Sequence, residues 1–101
     1  GRADNVINTG GVKVHPEIIE PKIAKVLSTA SLARRFYIAA KPDDRLGEKV
    51  VLVLEGIKVK DEAFLLELLK RELPAYNNPT EIIYVSKIEF TDTGKLIRMT
   101  F

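Results

Sequence analysis

Cysteine is missing from this chain and histidine occurs once. Without cysteine there is no disulfide framework, no thiolate metal site and no thiol nucleophile. His15 has no second imidazole to join it at a metal, so it reads as a helix-entry residue and not as a ligand or general base. A Ser-His-Asp set cannot be assembled either, because Asp4 and Ser28 flank it with no spacing logic. No apolar run approaches the roughly 20 residues that cross a bilayer, and no signal-peptide pattern is present. The cytosol is the expected compartment. Charge of one sign is also lacking: 16 basic against 14 acidic residues leave a formal net charge of +2. That balance weakens a nucleic-acid reading. An RNA-binding sheet would in addition need stacking aromatics on a basic surface, and four phenylalanines with three tyrosines do not favour one.

What is present suits a soluble globular domain. Hydrophobic residues make up 46% and charged residues 30% of the 101 positions, with no repeat or low-complexity tract. This length makes one domain and is short for a complete two-substrate enzyme. Gly1 opens the chain without an initiator methionine, and residues 2 to 14 begin in the middle of a motif. The chain is therefore expected to be the tail of a longer protein.

The order of elements predicts an α+β fold. Val6-Ile7 and Val12-Lys13-Val14 flank Asn8-Thr9-Gly10-Gly11, the composition of a β-hairpin whose turn needs positive φ. Pro16 suits a first helical turn, and Ile19, Ile23, Val26 and Leu27 recur at helical spacing. Pro21 should forfeit one backbone bond and kink that helix. Phe36 to Ala40 alternates as a strand ending at Pro42-Asp43-Asp44. Val50 to Leu54 is continuously apolar, which implies burial on both faces and a central position. Asp61 can cap a second helix with Phe64, Leu65, Leu68 and Leu69 on one face and Pro74 as its stop. Ile82-Val85 and Lys87-Phe90 supply further strand material, and Thr91-Gly94 turns into Lys95-Leu96-Ile97. A small mixed sheet backed by two or three helices follows, a two-layer α/β sandwich.

Taken one at a time, the chemical residues are ambiguous. Gly10-Gly11 lets another molecule approach the backbone closely, or is a plain hairpin turn. Lys95 behind Gly94 can project an ammonium toward an anion, or be a solvated hairpin lysine. It is not a Walker A loop, which needs an earlier glycine, a following Ser or Thr and a helix. Arg2 can fork onto a phosphate or ribose, or stay solvated. Asp4 can cap or salt-bridge locally. Glu17 and Glu20 read as a solvated helix face, Asp43-Asp44 as a turn, and Tyr76-Asn77-Asn78-Pro79 as another turn. Lys58, Lys60, Lys70 and Arg71 read as solvating charge.

Three segments taken in order are more informative. GRADNVINTGGVKVHPEIIE resembles the opening of the C-terminal domain of the adenylate-forming enzymes, which include acyl-CoA synthetases, peptide-synthetase adenylation domains and luciferases. KPDDRLGEKVVLVLEG looks like their middle signature, and LPAYNNPTEIIYVSKIEFTDTGKLIR their closing segment with its Thr-x-x-Gly-Lys and downstream Arg. The match is collinear over nearly the whole chain. It departs from the pattern in three places: Glu89-Phe90 stands where proline is usual, Asn77-Asn78 stands where relatives often carry a basic residue, and Pro21 is unusual.

The resemblance implies roles. Lys95 matches the adenylation lysine that reaches the substrate carboxylate and the α-phosphate of ATP. Arg2 matches the arginine that contacts the nucleotide, and Asp4 the hinge about which the small domain swings between two poses. Gly10 and Gly11 match the loop that lines the pantetheine channel, and Lys13 a position that could meet a CoA phosphate. The resemblance further implies ATP with Mg and CoA as the small molecules. The acid pocket, the ATP loop and the metal-holding acid would lie in an N-terminal AMP-binding domain, so these residues alone are expected to be inactive. DNVINTGGVKV looks most like o-succinylbenzoate-CoA ligases of menaquinone synthesis. Another carboxylic acid-CoA ligase, or a non-catalytic binding or regulatory module of the same fold, stands as the alternative.

Overall fold

The structure is a computed structural model that describes residues 6–98. The expected nucleotide contact Arg2 and hinge Asp4 lie outside the described residues. The order of elements is β1 (Ile7–Thr9), β2 (Val12–Val14), α1 (Pro16–Thr29), β3 (Phe36–Asp43), β4 (Gly47–Glu55), α2 (Glu62–Glu72) and β5 (Glu81–Val85). The sheet runs β2-β1-β4-β3, with β5 also pairing β4. β3 lies antiparallel to β4 over the full length of β3, and β5 lies parallel to it from Val51↔Glu81 to Glu55↔Val85. The sheet is therefore mixed, as expected.

β4 is central because its side chains satisfy two cores at once. Val50, Leu52 and Leu54 join Ile38 and Ile82 in a core completed by Ile19, Ile23 and Leu27 of α1 and by Leu65 and Leu69 of α2. Val51 and Val53 point the other way, where they pack with Tyr37, Ala39 and Ile88. Period-two alternation across a strand buried on both faces produces this division. The helices form the second layer on one side, and on the other the chain after β5 crosses the sheet as irregular backbone.

Several local readings are corrected. Lys87-Phe90 is not a strand: only the single antiparallel bridge Phe90↔Leu96 forms there. The Ile88 amide donates to Glu55 Oε2 at 2.9 Å, so this segment is held by a side chain in place of a ladder. In α2 the buried stripe is Leu65 and Leu69, flanked by the partly buried Leu66 and Leu68, while Phe64 is 55% exposed. At about 100° per residue, Phe64 falls outside the arc centred on Leu65 and Leu69. Asp61 caps this helix as read, its Oδ1 accepting from Phe64 N at 3.0 Å. α1 begins at Pro16 with His15 at the N-cap and continues unbroken through Pro21. Among the described residues, no helix is long and apolar enough to cross a membrane.

Glu20 is the clearest departure from a solvated helix face. Its Oε2 accepts from Ile38 N at 2.9 Å and from Arg98 Nη1 at 2.9 Å, and its Oε1 accepts from Arg98 Nη2 at 3.3 Å. Arg98 Nη1 also donates to Ile38 O at 2.7 Å, and its guanidinium lies 5.6 Å from the Tyr37 ring centre. The outward amide and carbonyl of Ile38 on edge strand β3 are thus both occupied, which blunts that edge at its middle.

Candidate functional site

The two glycines of the N-terminal hairpin have φ of +58° and +84°. Positive φ at both central residues is the signature of the two-residue turn that matches strand twist. β1 and β2 pair as Ile7↔Val14, Asn8↔Lys13 and Thr9↔Val12. Ile7 and Val14 enter the helix-side core, while Asn8 and Lys13 face solvent on the opposite side of the ribbon.

The glycines differ in their surroundings. A Cβ on Gly10 would lie 3.2 Å from Leu46 Cδ2, and Gly10 N donates to Leu46 O at 2.9 Å. Gly10 is pressed against the β3–β4 turn. A Cβ on Gly11 would meet nothing within 4 Å, so its open side can admit a slender chain along exposed backbone.

The second site hangs from the opposite face of the sheet. Gly94 N donates to Thr91 O at 2.8 Å, and Thr91 N donates to Lys95 O at 2.7 Å. Thr91 Oγ1 accepts from Lys95 N at 3.0 Å and lies 3.0 Å from Thr93 Oγ1. At the base of the turn, Ile97 N donates to Glu89 O at 3.0 Å and the Arg35 guanidinium sits 5.7 Å from the Phe90 ring centre. Lys95 is exposed at this tip, and no carboxylate of the described residues pairs with it. An unpaired ammonium on a short, internally bonded turn is suited to meeting an anion on another body.

The structure brings Gly10, Gly11 and Lys13 together on one hairpin and leaves Lys95 apart from them. β1 meets β4 at its start, through Thr9↔Gly47. The Lys95 segment is held toward the end of β4, through Glu55 and Ile88. This strand rises roughly 25 Å between those ends. The two segments therefore form separate surfaces.

Four features escaped the sequence reading. Besides the Glu20–Arg98 clamp, a depression of about 460 Å³ beside the hairpin is lined by Thr9, Leu46, Lys49, Lys70, Tyr76 and Asn78, among others. Glu81 bridges Lys49 at 2.8 Å and Lys41 at 3.0 Å. Hydrogen bonds from these two ammoniums hold the Glu81 carboxyl below its ordinary value, and the same contact raises Lys49. Tyr84 donates to Glu62 Oε2 at 2.8 Å, and burial, followed by this bond to a carboxylate, pushes its phenol upward. None of these contacts has a motif, because each joins residues far apart in sequence. Among the described residues, no group of His, Asp or Glu side chains could hold a metal ion.

No protein-family model matches the chain. Curated relatives do. The chain is 30% identical over 99 residues to indoleacetate–CoA ligase of Aromatoleum aromaticum, with 95% of this chain and 18% of that protein covered. It is 29% identical over 97 residues to 2-succinylbenzoate–CoA ligase of Listeria monocytogenes, with 96% and 20% covered. Among solved structures, an acyl-CoA synthetase (AMP-forming)/AMP-acid ligase II-like protein from Dyadobacter fermentans superposes with a TM-score of 0.83 at 35% identity, over 95% of this chain and 28% of that one. The chain spans about a fifth of the length of the curated relatives it matches. Over nearly its whole length it is similar to one part of acyl-CoA ligases, and its fold is that of the C-terminal domain of acyl-CoA synthetases.

Proposed function

We propose that this chain is the mobile C-terminal domain of an ATP-dependent, AMP-forming carboxylic acid–CoA ligase. In the first half-reaction the acid carboxylate attacks the α-phosphorus of ATP and pyrophosphate leaves. Lys95 stabilises the charge that develops between carboxylate and phosphate. The domain then turns about Asp4, withdraws Lys95 and presents Gly10-Gly11. The CoA sulfur attacks the acyl carbonyl, AMP leaves and the thiol proton is lost to solvent. Gly11 lines the pantetheine path, Lys13 meets a CoA phosphate and Arg2 contacts the nucleotide. The acid, ATP and Mg are held mainly by an N-terminal AMP-binding domain, so these 101 residues alone do not turn over.

The observation that carries this reading is the separation of an exposed Lys95, with no carboxylate partner among the described residues, from a glycine hairpin with one open side, on a fold shared with acyl-CoA synthetases. Within that class we favour 2-succinylbenzoate as the acid, which would place the enzyme in menaquinone synthesis in the cytoplasm. The DNVINTGGVKV segment and the Listeria relative support it. The similarly related indoleacetate ligase supports a different acid on the same machinery.

The test is Lys95→Ala in the full-length protein. Formation of the acyl-adenylate should fall by about 10²–10³-fold, the scale for losing one transition-state charge partner. Thioester formation from supplied 2-succinylbenzoyl-adenylate should stay within about threefold of the parent. An equal fall in both half-reactions would sink the two-surface reading. Turnover by the 101 residues alone at the full-length rate would remove the division of labour.

A further inference from the structure

The middle motif KPDDRLGE has no role in the chemistry above, yet its side chains converge on the glycine hairpin. Asp43 Oδ2 accepts from Leu46 N at 2.8 Å and from Arg45 N at 3.1 Å, which closes the β3–β4 turn. Leu46, fixed in this way, accepts from Gly10 N through its carbonyl, and its side chain occupies the space that a Cβ on Gly10 would approach. Glu48 Oε1 accepts from Asn8 N at 2.9 Å, from the strand that leads into the turn.

These contacts matter because they reach the turn itself: beside it Thr9 is buried and Val12 packs against the core, but both glycines are exposed. Each of its strands is three residues long, and an isolated two-stranded ribbon of that size is marginal in water. Its ladder to β4 consists of the single pair Thr9↔Gly47. Ile7 and Val14 anchor the base by burial, but nothing in that anchor fixes where the Gly10-Gly11 backbone points.

We propose that Asp43 and Glu48 are positioning residues for the thioester-forming half-reaction: Asp43 acts through Leu46 on Gly10, Glu48 acts directly on Asn8, and together they aim the open side of Gly11. This inference rests on the function proposed above. It assigns to the middle motif the second tool and not the first. A displacement of about 1 Å in a positioning group is enough to cost up to 10²-fold in rate, so loosening the tip is felt selectively where a thiol-bearing chain must pass along it.

Asp43→Ala and Glu48→Ala test this in the full-length protein, with CoA and supplied 2-succinylbenzoyl-adenylate as probes. Each should raise the KM for CoA about tenfold, while adenylate formation changes less than about twofold. Asp43→Asn and Glu48→Gln keep an acceptor oxygen and should recover most of the loss. In parallel, hydrogen exchange at Asn8 and Gly10 should speed by about tenfold in the alanine variants, with Val51 and Val53 in β4 unchanged. If Asp43→Ala fails to fold, Glu48→Ala carries the test alone. Equal losses in both half-reactions, unchanged exchange at Gly10 and Asn8, or no recovery in the amide variants overturns the inference. If the parent does not use this adenylate, the choice of acid fails instead, and exchange alone then decides whether the relay holds the hairpin.

Discussion

The glycine hairpin and the Lys95 turn are both short, exposed and built around glycine, yet they are fastened differently. The hairpin is gripped near its tip, where Leu46 holds Gly10 and Glu48 holds Asn8. The Lys95 turn is gripped at its base, by the Phe90↔Leu96 bridge and, beyond it, by Arg98 clamped onto Glu20 and Ile38. Under the proposed function, the difference follows from which part of the chain does the work. A backbone surface is useful only where the main chain itself lies, so its tip must be fixed. A lysine carries its charge on a long flexible stem, so a firm footing is enough.

The sharpest way to break this comparison is to load the tip of the hairpin. Gly11→Val imposes a β-branched residue at φ +84°, a strain of about 1–3 kcal/mol, and fills the open side. Thioester formation should fall about 10²-fold with adenylate formation nearly unchanged, measured as separate half-reactions. A next, smaller effect is expected from the footing of the other turn. Arg98→Ala leaves the Glu20 carboxylate and the Ile38 carbonyl without their cation, and should destabilise the fold by about 2–3 kcal/mol, read as a lower midpoint in urea. Arg98→Lys should recover only part of it, since an ammonium cannot reproduce the two-pronged contact. Full recovery by lysine would mean that charge alone holds the footing.

The smallest effect should lie away from both tips. Lys49 and Lys41 hold Glu81 below its ordinary 4.5, so its contribution is present above that value and is lost as pH falls through the lowered one. The three side chains are exposed by 26–39%, and solvent screens the gain. Glu81→Gln should lower the melting temperature by roughly 2 °C at neutral pH and flatten the loss of stability below pH 4.5. A change confined to alkaline pH would contradict that assignment.

Legibility in the sequence followed the range of each interaction. The hairpin, the Asp61 cap and the doubly buried Val50–Leu54 were readable because turn chemistry, capping and alternation are local. Gly10-Gly11 and Lys95 acquire their proposed chemistry only once the three motifs are taken in order. Glu20 was misread because its partners, Ile38 and Arg98, are 18 and 78 positions away. Lys87-Phe90 has the alternation of a strand, but Val85 already ends the ladder on β4, and Ile88 serves as a plug on the second core. Phe64 was placed by spacing alone, which gives a stripe but not its centre.

β4 has one further consequence. Glu48 near its start holds the hairpin strand, and Glu55 at its end holds the segment leading to Lys95. Because the two carboxylates stand seven positions apart, an odd number, they emerge on opposite faces as well as opposite ends. The strand works as a spacer bar with a tool bolted to each end, pointing opposite ways. A body built like this cannot offer both tools to one point at the same moment. If the proposed ligase chemistry holds, the stiffness of one buried strand keeps its two half-reactions from competing for one active site at the same time.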